Sequence, residues 1–234
     1  MSAPATQLTL RLTLQEIYRL DNFYFSQTEI KLALTEFSDN GSVEFIYLWG
    51  EEGIGKSHLL IACAERVQRA GHNVLYLSLT ELINTAEPDI LQSIDNVDLL
   101  CLDDMDVIVG NRDWEESLFH CFNRLKLAGG QLLLGAHTNP ANLNFTLPDL
   151  RSRLSTALIY QLPPMSDQDK QQALIVQAQS RGLILSEDVA QYLLRHHGRE
   201  MVDLMAVLKK LDSASLAEKR RLTIPFVSQV LANG

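Results

Sequence analysis

The octet Gly50-Glu51-Glu52-Gly53-Ile54-Gly55-Lys56-Ser57 constrains this chain more than any other stretch, because it meets every fixed position of the pattern G-x-x-x-x-G-K-[S/T]. Its glycines let the backbone wrap tightly and aim successive N–H groups at an anion. The apolar run Val43–Trp49 before it reads as a buried strand. After it, Leu59, Leu60, Ala62, Cys63, Val67 and Ala70 recur at helical spacing, which predicts a helix over Ser57–Ala70 capped by Gly71. A helix that begins at a glycine turn points its dipole and free N–H groups at negative charge. The strand–loop–helix unit is therefore expected to hold the phosphates of ADP or ATP. Gly50, Gly53, Ile54, Gly55, Lys56, Ser57 and His58 form the expected cofactor-binding set, with Lys56 reaching the outer phosphates and Ser57 holding Mg²⁺.

A second acidic signal fits the first. Asp103-Asp104 follows the apolar run Leu99-Leu100-Cys101-Leu102, which places carboxylates at the end of a buried strand. In an open parallel sheet, ligands bind outside the carboxyl ends of the strands. Asp103 is expected to act on Mg²⁺ and Asp104 to orient or activate water.

Further strands are expected over Asn73–Leu79, Val97–Leu102, Gln131–Ala136 and Ala157–Leu162. Helices are expected near Gln27–Thr35 and over Trp114–Ala128, the latter with Asp113 as N-cap and Gly129-Gly130 as its stop. Strands alternating with helices predict an α/β fold with a mainly parallel sheet, and near-continuous apolar strands predict helices on both of its faces.

The character changes at Pro163-Pro164. Ser166 with Asp169 resembles a capping box, and helices are expected to open there, at Ser186, near Arg199 and at Thr223-Ile224-Pro225. The expected organisation is an extended segment over 1–14, an α/β domain over 15–164 and a small all-helical domain over 165–234. The first segment alternates strictly: Gln7-Leu8-Thr9-Leu10-Arg11-Leu12. It suits either a partner's apolar pockets or an edge strand of the chain's own domain.

Composition limits the partners. The net charge is -9, with 11 basic and 21 acidic residues over 1–165, so the body is a poor surface for bare duplex DNA. Cys63, Cys101 and Cys121 are widely spaced among apolar residues and read as buried thiols of a cytoplasmic protein. No secretory leader and no membrane-length apolar run is present in the sequence.

Taken together, the phosphate loop, the Asp-Asp strand, Leu147-Pro148-Asp149-Leu150-Arg151-Ser152-Arg153-Leu154 and Gly198-Arg199-Glu200-Met201 resemble the AAA+ ATPases, and among them the relatives of the replication initiator DnaA. The chain stops soon after the helical part, without a DNA-binding helix-turn-helix, and opens on what looks like a clamp-binding peptide. These features resemble the regulatory inactivators of that initiator.

The resemblance implies a parallel P-loop sheet with a helical lid. It implies Arg153 as an arginine finger acting in trans, with Arg151 as a competitor for that role. It implies Arg199 as the lid arginine that reports on nucleotide. His137 falls at the sensor 1 position, with Thr138 and Asn139 as neighbours that could take it. A histidine there departs from the family's small polar residue, so little intrinsic ATP hydrolysis is expected.

Asp21-Asn22-Phe23 lies where the family packs the base. Gln7, Leu8, Leu10 and Leu12 are implied to bind the DNA polymerase III beta sliding clamp, with DNA met only through the clamp. DnaA is the implied second partner, ADP the implied working ligand, and a homo-oligomer stays open. The alternative is an autonomous AAA+ ATPase serving as a helicase loader or replication motor.

Overall fold

The computed structural model describes residues 18–41 and 44–232. The alternating segment with Gln7, Leu8, Leu10 and Leu12 lies outside them, as does Val43 at the head of the first expected strand.

Five strands, β1 (Phe45–Trp49), β2 (Val74–Ser78), β3 (Leu99–Asp103), β4 (Gln131–Ala136) and β5 (Leu158–Gln161), form one parallel sheet in the order β2-β3-β4-β1-β5. Side chains along β1 to β4 alternate between two cores, as the pleat requires. Phe45, Tyr47, Leu100, Leu102, Leu132 and Leu134 face one. Ile46, Leu48, Leu99, Cys101 and Leu133 face the other. Both faces are apolar because both are covered. Helices α1 (Thr28–Asn40) and α2 (Lys56–Arg69) close the second face, while α3 (Leu79–Thr85), α4 (Arg112–Leu127) and α5 (Pro148–Leu154) close the first.

Four helices follow: α6 (Asp167–Ser180), α7 (Glu187–His196), α8 (Met201–Glu218) and α9 (Ile224–Ala232). They bury their own core around Leu174, Leu193, Leu204, Leu208 and Phe226. The Ser166–Asp169 capping box forms as expected, with the Asp169 N–H donating to Ser166 Oγ at 3.1 Å and the Ser166 N–H to Asp169 Oδ2 at 2.9 Å.

The structure corrects several expected boundaries. Helix α1 runs on to Asn40 because Ile30, Leu34 and Phe37 carry its apolar face past Thr35, and Gly41 ends it at φ 58°. The strand expected to reach Leu79 stops at Ser78, and Leu79 opens α3, where it and Leu82 are buried. Helix α4 is capped by Asn111, whose side chain accepts the Trp114 N–H, rather than by Asp113. The three cysteines are buried and unbridged, and burial pushes the Cys63 thiol up to about 12. No helix among the described residues is long and apolar enough to cross a membrane.

Candidate nucleotide-binding site

The sheet order puts the tips of β3, β4 and β1 side by side at one edge. The Gly50 N–H donates to the Ala136 carbonyl at 3.2 Å, which pins the start of the phosphate loop to the end of β4. The loop turns through Gly53 at φ 73° and Gly55 at φ 102°, and α2 starts at Lys56. At Gly55 a side chain is excluded twice. Its φ disfavours any Cβ, and a Cβ there would lie 2.5 Å from the Phe23 ring.

Lys56 is only 5% exposed, and its amine donates to the Gly50 and Glu51 carbonyls at 2.8 Å each. Burial lowers its pKa, opposed by the carboxylates of Asp103, Asp106, Asp104 and Glu52. An anion seated in the loop would compete for that amine against two neutral acceptors, and charge-assisted bonds are the stronger ones. Ser57 is exposed in the first turn of α2.

The acidic tip of β3 is tightly held. Asp103 is 1% exposed; its Oδ2 accepts the Tyr76 hydroxyl at 2.9 Å, and its Oδ1 accepts the Asp104 N–H at 3.0 Å. That Oδ1 occupies the space a side chain on Gly135 would fill. Ser57 and Asp103 offer hard oxygen donors of the kind Mg²⁺ takes alongside phosphate oxygens.

Asp104 adopts a left-handed φ of 59°, and its carboxylate accepts the Ser78 and Thr80 hydroxyls at 3.3 and 3.0 Å. It therefore leans toward β2, on the far side of β3 from the phosphate loop. His137 sits at the tip of β4. Its N–H donates to Asp106 Oδ2 at 2.5 Å, its ring Nδ1 lies 3.3 Å from the same oxygen, and the Thr138 N–H reaches Asp106 Oδ1 at 3.0 Å. Asp106 and Tyr76 were not singled out by the sequence reading, although a third acid in Asp103-Asp104-Met105-Asp106 was visible in it.

Beside the loop opens a cavity of about 620 Å³ lined by Phe23, Tyr24, Ile54, His58, Ala173 and Met201, among others. Its size and apolar walls suit a nucleoside. The segment before α1 straps the two parts of the molecule together. His58 Nε2 lies 3.2 Å from the Arg19 carbonyl and 3.1 Å from Asn22 Oδ1. The amide of Gln177 in α6 donates to the Asn22 carbonyl at 2.7 Å, and the Tyr24 hydroxyl donates to Asp169 at 3.0 Å. Of Asp21-Asn22-Phe23, Phe23 lines the cavity, Asn22 is buried beside it, and Asp21 is exposed and pairs with Arg19. Arg199 is exposed just before α8 and outside the cavity wall; its carbonyl accepts the Lys170 amine at 2.6 Å. The lid arginine lining the cavity is Arg181, which the sequence reading missed.

On α5 the two arginines differ. The Arg151 guanidinium donates to the Ala141 carbonyl at 2.7 Å. Arg153 is exposed, and its guanidinium has no hydrogen-bond or ion-pair partner among the described residues.

A P-loop after β1, the strand next to the β5 edge of a five-stranded parallel sheet, an acid at the tip of the strand two places away, and a helical lid beside a nucleoside-sized cavity define a nucleotide-binding AAA+ protein. The family model for the bacterial DnaA ATPase domain matches residues 14–161, and the chain belongs to that family. The model described as the lid domain of Hda matches residues 167–231.

Solved structures show the same fold. Domain III of DnaA from Thermotoga maritima superposes with a TM-score of 0.75 at 20% identity, covering 92% of this chain and 96% of that one. AMPPCP-bound DnaA from Aquifex aeolicus gives 0.69 at 24%, covering 85% and 65%. The RuvB Holliday junction branch migration motor of Thermotoga maritima gives 0.62 at 20%, covering 88% and 67%.

Proposed function

We propose that this chain is a regulatory inactivator of DnaA. The cradle of Gly50–His58 would hold ADP, and Ser57 and Asp103 would hold Mg²⁺, which neutralises charge on the phosphates. Arg199 reports on the nucleotide from the lid, and His137 stands at the sensor 1 position. The chain docks on the DNA-loaded sliding clamp through Gln7, Leu8, Leu10 and Leu12, and offers Arg153 to the ATP bound by DnaA. Hydrolysis of that ATP switches the initiator off and prevents re-initiation in the cytoplasm. Residues 1–14 serve as the clamp-binding segment, 15–164 as the nucleotide-binding domain and 165–234 as the lid.

One observation carries this reading. Of the two α5 arginines, Arg151 is spent on the Ala141 carbonyl, whereas Arg153 stands in solvent with its guanidinium uncommitted. Such a group can spread over the charge of a transferring phosphoryl on another molecule, an effect worth ~10³–10⁵ in rate. The test is hydrolysis of DnaA-bound ATP with loaded clamp, ADP and this chain. Arg153→Ala is expected to lose nearly all stimulation, and full stimulation by that variant sinks the proposal.

A second reading, an autonomous AAA+ ATPase serving as a helicase loader or replication motor, draws on Lys56, Asp103 and Asp104 standing at one edge of the sheet. The turn of Asp104 toward Ser78 and Thr80 counts against it. Robust turnover by the purified chain alone, abolished by Asp104→Ala, would favour the motor.

A further inference from the structure

The described residues bury three charged side chains: Lys56, Asp103 and Glu115. The first two belong to the phosphate cradle. Glu115, on α4, is 0% exposed and belongs to nothing described so far. Its carboxylate gathers four donors from two separate loops. Oε1 accepts the Gly110 N–H at 2.8 Å and the Thr146 N–H at 3.2 Å. Oε2 accepts the Thr146 hydroxyl and the Leu147 N–H, each at 2.7 Å.

The two loops give this knot its meaning. Leu147 is the N-cap of α5, whose side chain makes no capping bond, and Arg153 lies six residues on. Gly110 ends the segment that begins at Asp103 and carries Asp106, the carboxylate that holds His137 and Thr138 at the tip of β4. One buried carboxylate thus joins the base of the arginine helix to the segment bordering the chain's own nucleotide cradle.

Helix α5 is only seven residues long. Leu150 and Leu154 bury one side of it, which holds it down without fixing its direction. Hydrogen bonds are directional, and four of them on a rigidly packed α4 side chain fix where the helix starts.

We propose that Glu115 is a positioning residue for Arg153: it sets the aim of the α5 arginine toward the partner's nucleotide, and ties that aim to the segment beneath this chain's own cradle. The inference rests on the proposed trans action of Arg153. A guanidinium misplaced by an ångström still binds its neighbourhood but no longer meets the transferring phosphoryl, so the loss falls on the maximal rate rather than on binding.

The experiment titrates this chain into DnaA–ATP with DNA-loaded clamp and saturating ADP. It compares wild type with Glu115→Gln, Thr146→Val, Thr146→Ser and Arg153→Ala. Glu115→Gln places an amide donor among N–H donors and is expected to lower the maximal stimulated rate about tenfold. Thr146→Val, which deletes one of the four bonds without changing shape, is expected to lower it about threefold. Thr146→Ser keeps the hydroxyl and restores the wild-type rate. ADP affinity stays within about twofold in every variant, and the half-saturating concentration of the chain does so in the Glu115 and Thr146 variants, which a general loosening of the fold would not allow.

A folded Glu115→Gln protein with the full maximal rate overturns the inference. If that variant does not fold, Thr146→Val at full rate overturns it equally. Loss of stimulation in Arg153→Ala alone sinks the role of Glu115 and leaves the proposed function standing. Full stimulation by Arg153→Ala removes both.

Discussion

The α/β body and the helical lid bury different kinds of groups. The body encloses Lys56, Asp103 and Glu115, each bonded to named partners. The lid core is Leu174, Leu193, Leu204, Leu208, Leu211, Phe226 and their apolar neighbours. Among its described residues Gln177 is the one polar residue buried as a whole, and it points back to the body at the Asn22 carbonyl. A buried charge is tolerated only where it is bonded, and its bonds carry direction. Apolar burial is roughly proportional to area and carries none. The body is therefore built to hold angles, as phosphate binding and an aimed arginine both require. The lid is built to stay whole, and its contacts with the body include Gln177 on Asn22, Asp169 on Tyr24 and Val202 beside Gly53.

The contrast can be broken most severely at Glu115. Truncation by Glu115→Ala leaves the Gly110, Thr146 and Leu147 N–H groups without their acceptor and opens a void in the core. The expected loss is about 3–4 kcal/mol in chemical denaturation. A loss below about 1 kcal/mol would mean that the body does not depend on its buried charge.

Burial on its own would raise the Glu115 pKa, but bonds from Thr146, Gly110 and Leu147 outweigh it and hold the value below the ordinary 4.5. The stability Glu115 contributes is thus fully present above that ordinary value and is lost as pH falls through the lower folded one. Glu115→Gln removes this titration, so its stability should decline less steeply than wild type in acid unfolding below that ordinary value.

Lys56→Ala comes next. Losing one charge-assisted contact to phosphate should weaken adenine-nucleotide binding about a hundredfold by calorimetry. Arg153→Ala should leave that affinity unchanged. Equal losses in the two variants would erase the distinction between a group turned inward on its own ligand and one turned out to a partner.

Much of the scaffold was legible in the sequence, for reasons that can be named. The phosphate loop combines fixed residue types with a strand before and a helix after, so local chemistry and context agree. Strands β1 to β4 send apolar side chains to both faces, and the lid announces itself through the Ser166–Asp169 box. What stayed hidden depends on distant partners. Helix α3 continues the apolar run of β2, and part of what distinguishes it is Thr80 meeting Asp104 across the sheet edge. Helix α5 is too short for a periodic signal. Glu115 sits in Arg112-Asp113-Trp114-Glu115-Glu116, which reads as a solvated charged face until residues 146 and 147 are folded against it. Asp106 acquires its role only because β4 ends beside it.

The smallest expected effect concerns the junction itself. Gln177→Ala removes the amide that spans from α6 to the Asn22 carbonyl, and the apolar cores on both sides remain intact. Stability should fall by only about 1 kcal/mol, since Gln177 lines the cavity and water entering there can take the place of its amide on the carbonyl. Nucleotide affinity should nonetheless drop about threefold to tenfold, because the cavity is walled on one side by Phe23 and Tyr24 and on the other by the lid. A lid held less often in place lowers the fraction of molecules competent to bind. The paired measurement is calorimetric ADP binding and thermal unfolding on the same variant. If stability falls by several kcal/mol while affinity holds, the lid is a welded part of the body and the division of labour between them is wrong.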